Sequence, residues 1–371
     1  MSSKLRRYLN DPFLQTLYST VRAAGRIRSI SVDMTAECNL RCKGCYYFAE
    51  GMDVGIKRPD DAAFEAFIDK ELARGTNFVT VVGGEPSLEL ERLALLHQNF
   101  RINVATNGLL RIPYKNFETM PMGVAIWGNA ATDSFLRGGG KADIISRAMD
   151  NYRNDPRAFW YYTVTPGHAG QIEGVVDRCV ENGNAVLFNF YSDLDQLGDK
   201  YDGRKGFDDA LQAIDRVVDR HPGKILLTRY LAGVISSGTL YGQKWGHEVC
   251  TSLSVNHPAN SERLQNGNPY NPHFMAYQAD FEQTRRCCTG IDRDCDTCFD
   301  VWEHFSWVAL NMKQHMETQA EFTNWLTSMY LFYLINRLID YDAGMALLPE
   351  IHARTGLAQL PTRPRLADAL T

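Results

Sequence analysis

Residues 30–47 read ISVDMTAECNLRCKGCYY, and the organisation of the chain is built outward from them. Ile30–Met34 is a short apolar run of the kind that forms a strand. The segment Thr35–Tyr47 that leaves it carries Cys38, Cys42 and Cys45, separated by three and then two residues. Thiols at that spacing on one loop reach a single small object. A tetrahedral zinc site wants four ligands. A cubane cluster has four irons, so three cysteines leave one iron without a protein ligand, and a small chelating cofactor can bind there. Structural zinc with a distant fourth ligand, or ordinary buried thiols, is the alternative reading of the same spacing. The loop also follows a strand directly, and ligands usually sit at the carboxyl ends of parallel strands.

Further strands are predicted at Phe78–Val82, Ile102–Ala105, Val124–Trp127, Trp160–Val164 and Val186–Phe190. Helical patterns lie between or after them at Asp60–Arg74, Glu89–Asn99, Lys141–Tyr152, Ile172–Asn182 and Gly206–Arg220. This alternation implies βαβ units and a parallel sheet, hence an α/β fold. Six units are two short of a closed eightfold barrel, and the periodicity does not distinguish an open sheet from a partial barrel. Ile225–Leu227 offers one more strand. Residues 1–25 read as an N-terminal helix leading into a main domain at 26–235. Residues 236–298 are rich in Gly, Ser, Asn, His and Cys, a composition usually functional or held by something other than a core. Residues 299–371 turn helical again, with Trp302, Phe305, Trp307, Trp325, Tyr330 and Phe332, before a loosely held tail.

The chain has 371 residues, enough to bury a full core, and a net charge of only -5. That balance gives no reason to expect nucleic acid or a charged membrane as partner. No apolar run approaches the roughly 20 residues of a membrane span, and the N-terminus lacks a secretory pattern. A cytoplasmic location is expected. An odd count of nine cysteines argues against a disulfide framework. Cys179, inside a helical run, reads as a small buried hydrophobe.

Two later segments belong with the cysteine loop. Gly83-Gly84-Glu85-Pro86 follows the second strand, and Thr106-Asn107-Gly108 ends the third. Two glycines let a backbone approach a ligand closely, and Glu85 offers a carboxylate to an ammonium group. Each segment alone also reads as a turn. Together with CNLRCKGC they resemble the radical S-adenosylmethionine (SAM) superfamily over roughly residues 26–230. The resemblance implies a partial (β/α)6 barrel. It implies a [4Fe-4S] cluster on Cys38, Cys42 and Cys45, with the amino nitrogen and carboxylate of SAM on the fourth iron. It places Gly83, Gly84, Glu85, Pro86, Thr106 and Asn107 beside the cofactor. Most members carry an aromatic residue just before the third cysteine, where this chain has Gly44; a subset including the hopanoid adenosyl-transferring enzymes shares the glycine. Tyr46 or Tyr47 is then the candidate to cover the adenine. Many members also carry an Asp-Gly pair and a His-Asp…Arg-Gly stretch after the fourth strand. Here only Arg137-Gly138 is kept. Arg137 either pairs with the SAM carboxylate or is a solvent-exposed arginine.

A second group of cysteines lies in RCCTGIDRDCDTCF, residues 286–299. Cys295 and Cys298 form a knuckle that can clamp one metal, and Cys288 lies six residues before it. Cys250 completes a four-thiolate set, with Cys287 the spare or the substitute for Cys288. The residues between Cys250 and Cys288 would form a hairpin-like excursion. The set reads as a second [4Fe-4S] cluster, similar to the SPASM/Twitch appendages of many radical SAM enzymes, or as structural zinc, since thiolates suit both.

The resemblance implies reductive cleavage of SAM to methionine and a 5′-deoxyadenosyl radical that abstracts hydrogen from substrate or adds to an alkene. A low-potential reductant, flavodoxin or ferredoxin, would supply the electron, since comparable centres sit near about −400 mV. The C-terminal helices are expected to cover the barrel mouth. A small natural-product or metabolic substrate is the first reading. Adenosyl transfer to an apolar alkene and modification of a peptide are the enzymatic alternatives. A non-catalytic iron–sulfur or zinc protein is the alternative from another class.

Overall fold

The computed structural model describes residues 3–49, 51–140, 143–192, 207–237, 250–266, 271–288 and 298–356. Eight strands form one sheet: β1 Ser29–Asp33, β2 Phe78–Val82, β3 Arg101–Thr106, β4 Met122–Ile126, β5 Ala158–Val164, β6 Ala185–Phe190, β7 Ala276–Tyr277 and β8 Thr284–Arg285. Their order is β6-β5-β4-β3-β2-β1-β7-β8. Strands β1 to β6 are parallel and sequential. Sequential parallel order is that of a (β/α) barrel, and among the described residues no strand joins β6 to β8. The predicted strands are all present, with shifts of a residue or two at their ends. Ile225–Leu227 contributes only a bridge from Ile225 to Val186.

The helices begin with α1 Ser3–Tyr8 and α2 Pro12–Ala24, followed between β1 and β2 by α3 Tyr46–Ala49 and α4 Asp61–Arg74. Helix α5 Leu90–Asn99 links β2 to β3; α6 Ala130–Leu136 and α7 Ile144–Tyr152 link β4 to β5; α8 Ile172–Glu181 links β5 to β6. After β6 come α9 Phe207–Arg220, α10 Arg229–Ser237, α11 Ser261–Asn266, α12 Val301–Leu310, α13 Gln319–Ile335, α14 Tyr341–Ala346 and α15 Leu348–Arg354. Local chemistry sets their ends. Asp60 accepts from the Ala63 amide at 2.8 Å to start α4. Gly75, left-handed at φ 80°, closes the same helix.

Alternation along the strands divides the sheet into two faces. Ile30, Val32, Val79, Val81, Ile102, Val124 and Ile126 are buried against the outer helices. The intervening positions point inward. Barrel interiors are ordinarily filled by layers of bulky branched side chains. Here several inward residues are small: Ser31, Thr80, Ala105, Gly123 and Ala125. The interior is therefore hollow, with a cavity of about 330 Å³ lined by all six parallel strands. Trp302 and Ser306 of α12 and Phe332 and Asn336 near the end of α13 complete its wall.

In the stretch expected to be an irregular appendage, the described residues carry two short strands. Strand β7 adds to the barrel sheet in parallel beside β1, with Ser31 opposite Ala276. Strand β8 returns antiparallel to β7, which makes the hairpin anticipated between Cys250 and Cys288. Arg285 of β8 donates to Asp33 at the end of β1 at 2.6 Å, both side chains being buried. Burial outweighs the attraction of Arg285 and pushes the Asp33 carboxyl up to about 6. The N-terminal helices dock on the C-terminal ones, with Tyr8 stacked on Phe322 at 5.5 Å between ring centroids.

Candidate functional site

The cysteine loop crosses the rim at the carboxyl end of β1, beside the ends of β2, β3 and β4. Its neighbours hold it by backbone hydrogen bonds. The amides of Gly84 and Glu85 donate to the carbonyls of Thr35 and Glu37, each at 2.8 Å. The Lys43 amide donates to the Leu136 carbonyl at the end of α6, at 2.7 Å. A Cβ on Gly84 would lie 1.9 Å from the Glu37 carbonyl oxygen. Gly84 leaves no room for a side chain because the two loops touch there.

Glu85 has a different environment from the one its motif suggested. Its carboxylate, 1% exposed, accepts from Thr106 Oγ1 at 2.6 Å, the Asn107 amide at 2.8 Å and the Ser87 amide at 3.0 Å. The carboxylate is occupied by protein donors and fastens the second motif to the third. Asn107 reaches on to the cysteine loop: its Nδ2 donates to Asn39 Oδ1 at 2.6 Å. Pro86 opens a single 3-10 turn after Glu85. Arg137 is 3% exposed, which removes the solvent-exposed alternative. It donates to Asp133 at 3.0 Å and to the Ala125 carbonyl at 2.6 Å, and it lies against Cys42.

Burial raises all three loop thiols, Cys42 to about 12. Each feels the charges of its fellows or of Arg41 and Arg137. They are neutral thiols at physiological pH in the free protein, and a bound metal would release their protons. Among the described residues no three His, Cys, Asp or Glu side chains converge as ligands of one metal ion. Cubane thiolates bind separate irons and stand apart. Three thiols on one rim loop, with a buried guanidinium beside them, are donors of the kind such a cluster takes.

Gly44 adopts a left-handed φ of +71°, and a Cβ there would lie 2.4 Å from the Tyr191 hydroxyl. Tyr191, just beyond β6, thus lies against position 44. Tyr191 packs edge-on to Trp127 at 5.8 Å, and both line the cavity. Tyr46 lines it too. Tyr47 does not: it is 1% exposed, with its hydroxyl donating to the Thr35 carbonyl at 3.2 Å.

On the far wall two cysteines of the second group meet a residue the sequence reading missed. Cys250 and Cys288 both hydrogen-bond to Glu303 of α12. Burial pushes the Glu303 carboxyl up to about 8, so it is largely protonated at neutral pH. Cys287 and Cys298 lie close enough to Cys288 to act on its charge. Cys295 lies outside the described residues. Asp300, just after Cys298, accepts from Tyr161 at 3.1 Å and caps α12 through the Trp302 amide at 2.9 Å. Asn189 and Ser192, at and beyond the end of β6, accept from the Val301 and Phe299 amides at 2.8 and 2.9 Å. Glu303 sits in an aromatic helical run and carries no sequence signal of this role. Tyr191 could have been found as the next aromatic residue after β6.

No protein-family model matches the chain, and no curated protein matches it. Solved structures do. Native anSMEcpe with bound AdoMet and Cp18Cys peptide is 16% identical with a TM-score of 0.48, over 79% of this chain and 83% of that one. Streptococcus suis SuiB bound to S-adenosylmethionine is 15% identical with a TM-score of 0.34, over 53% of this chain and 48% of that one. HydG, a maturase of the [FeFe]-hydrogenase, is 13% identical with a TM-score of 0.36, over 56% and 54%. This chain thus spans about half the length of SuiB. At such identities and TM-scores these likenesses carry no weight for the function.

Proposed function

We propose that the chain is a radical SAM enzyme acting on a small-molecule substrate in the barrel cavity. The observation that carries this reading is the joining of three motifs at one rim: the Gly83–Pro86 turn hydrogen-bonds to the cysteine loop, and Glu85 and Asn107 tie the Thr106–Gly108 turn to both. Cys38, Cys42 and Cys45 would hold the cluster. Gly83, Gly84, Pro86, Thr106, Asn107, Arg137 and Tyr46 would surround SAM, with Glu85 positioning Thr106 and Asn107. A bound cluster and SAM would supply a 5′-deoxyadenosyl radical, with methionine released, on one-electron reduction by flavodoxin or ferredoxin.

The chain's own residues have three tasks in this scheme. Asp133 and the Ala125 carbonyl hold Arg137 beside Cys42, where its positive charge favours the thiolate. Tyr46, Trp127 and Tyr191 wall the cavity next to the cysteine loop. Helices α12 and α13 line the cavity through Trp302, Ser306 and Phe332 and would help keep water from a reactive intermediate. Cys250, Cys288, Cys295 and Cys298, with Cys287 as the substitute, would form a second thiolate site holding an auxiliary [4Fe-4S] cluster or zinc. The proposed units are the helix at 1–25, the barrel at 26–235, the cysteine-rich module at 236–298 and the cover at 299–371. A reducing cytoplasm suits the thiols. Among the described residues no helix is long and apolar enough to cross a membrane.

Anaerobic reconstitution with iron and sulfide, followed by dithionite and SAM, tests the proposal. Release of 5′-deoxyadenosine that is lost in Cys42→Ala supports it. Bound zinc with no SAM cleavage would sink it.

A further inference from the structure

The three loop thiols differ in what donates to their sulfurs. Cys38 Sγ accepts from the Leu40 amide at 3.4 Å and from Asn107 Nδ2 at 3.9 Å. The sulfur of Cys45 takes the backbone amides of Tyr47 and Phe48. Cys42 takes the guanidinium of Arg137. Two sulfurs therefore meet uncharged donors and one meets a cation. Hydrogen bonds from an ionised donor are roughly twice as strong as those between neutral groups.

Backbone and side chains both fix this contact. The amide of Lys43, next to Cys42, donates to the carbonyl of Leu136, next to Arg137, at 2.7 Å. Asp133, one turn earlier on α6 and 0% exposed, holds Arg137 Nη1 through both carboxylate oxygens at 3.0 and 3.2 Å. The Trp127 amide fixes Asp133 in turn at 2.7 Å. Arg137 Nη1 also donates to the Ala125 carbonyl at 2.6 Å, and Nη2 faces the Asn107 carbonyl at 3.5 Å. A bidentate grip on a carboxylate takes two parallel N–H groups, and both terminal nitrogens of Arg137 already meet protein oxygens. At Cys42 the attraction of Arg137 outweighs the opposing charge of Asp133.

We propose that Arg137 sets the reduction potential of the centre on Cys38, Cys42 and Cys45 by donating to the Cys42 thiolate, and that it does not grip the SAM carboxylate. The inference deepens the proposed function and rests on that reading for the presence of a cluster at this loop. Among the residues around SAM it makes Arg137 a positioning residue that acts through Cys42. One-electron reduction adds a negative charge to such a centre, with no bond made or broken. Net charge and hydrogen bonds to the sulfurs set the potential of iron–sulfur centres. A cation bonded to a ligating sulfur favours the reduced form, so its loss lowers the potential. Asp133 carries the opposite charge, so its neutralisation raises the potential.

A redox titration of the anaerobically reconstituted protein, followed by electron paramagnetic resonance, tests it together with calorimetric titration of the oxidised protein with SAM. Arg137→Gln should lower the ratio of reduced to oxidised centre at a fixed potential about tenfold, a shift of about 59 mV for a one-electron couple. Asp133→Asn should raise that ratio. SAM should bind both variants within about threefold of the parent. Circular dichroism and iron content establish that each variant is folded and loaded. Where Arg137→Gln is not, because Asp133 is left unpaired, the double variant Arg137→Gln with Asp133→Asn takes its place. It should still titrate below the parent, since Arg137 outweighs Asp133 at Cys42. A potential unchanged in Arg137→Gln or in the double variant would overturn the proposal. So would shifts of the same sign in the two single variants, or a tenfold loss of SAM affinity in Arg137→Gln. A parent that holds a reducible centre with these shifts but neither binds nor cleaves SAM would refute the enzymatic reading and support the tie of Arg137 to Cys42. A parent that assembles no iron–sulfur centre would overturn both.

Discussion

The Asn107 backbone amide donates to the Glu85 carboxylate at 2.8 Å while the Asn107 side chain donates to Asn39 at 2.6 Å, so one residue links the ends of β2 and β3 to the cysteine loop. Glu85→Gln replaces one carboxylate oxygen with a donor that faces either the Asn107 amide or Thr106. Hydrogen bonds to charged groups are worth about 1.5–3 kcal/mol each. The expected outcome is at least a tenfold fall in 5′-deoxyadenosine formation, with iron content near that of the parent. The cysteines themselves are untouched by the change. Iron loss equal to the activity loss would show that Glu85 supports the loop rather than the turn at Thr106.

Gly44 and Tyr191 form a second testable pair. An alanine at 44 carries a left-handed φ, which costs a non-glycine residue roughly 1–2 kcal/mol, and its Cβ meets the Tyr191 hydroxyl. Gly44→Ala should lower reconstituted iron content. Adding Tyr191→Phe removes the closest atom, though ring carbons remain at 3.0 Å, and should restore part of the loss. Iron quantitation on the two variants reads this directly. Equal iron content in Gly44→Ala and the parent would contradict the packing described.

The Asp33–Arg285 pair predicts a pH dependence of stability. The Asp33 carboxyl has its ordinary value of 3.8 in the unfolded chain and is raised to about 6 in the fold. Between these values the folded chain holds the proton that the unfolded chain has released. This contribution therefore falls as pH rises through that window. The change is on the order of 1–3 kcal/mol. Asp33→Asn removes it, so urea midpoints of parent and variant should shift in the variant's favour from pH 4.5 to 7.5. A constant difference across that range would contradict the raised value.

The legible part of this chain was the part written in local pattern. The short runs rich in Val, Ile and aromatic residues identify β1 to β6 as strands because both faces of the sheet are largely buried. Cys38, Cys42 and Cys45 are adjacent in sequence, so their grouping needs no tertiary knowledge. Strand β7 was not legible: Ala276–Tyr277 is two residues long and is a strand only because β1 offers an unpaired edge. Nor was the environment of Glu85, whose motif suggests an open carboxylate while Thr106, Asn107 and Ser87 occupy it. Glu303 meets Cys250 across 53 residues of chain. The row of Ser31, Thr80 and Asn103 emerges only from register, which aligns residues of three strands.

The central claim is that Cys38, Cys42 and Cys45 hold a cluster with one iron open to SAM. Electron paramagnetic resonance of the dithionite-reduced, reconstituted protein measures this most directly. The account predicts a reduced iron–sulfur signal whose g-values change on adding SAM, with that SAM-dependent change absent in Cys42→Ala. A signal indifferent to SAM in the parent, or a SAM response that survives in Cys42→Ala, would contradict it.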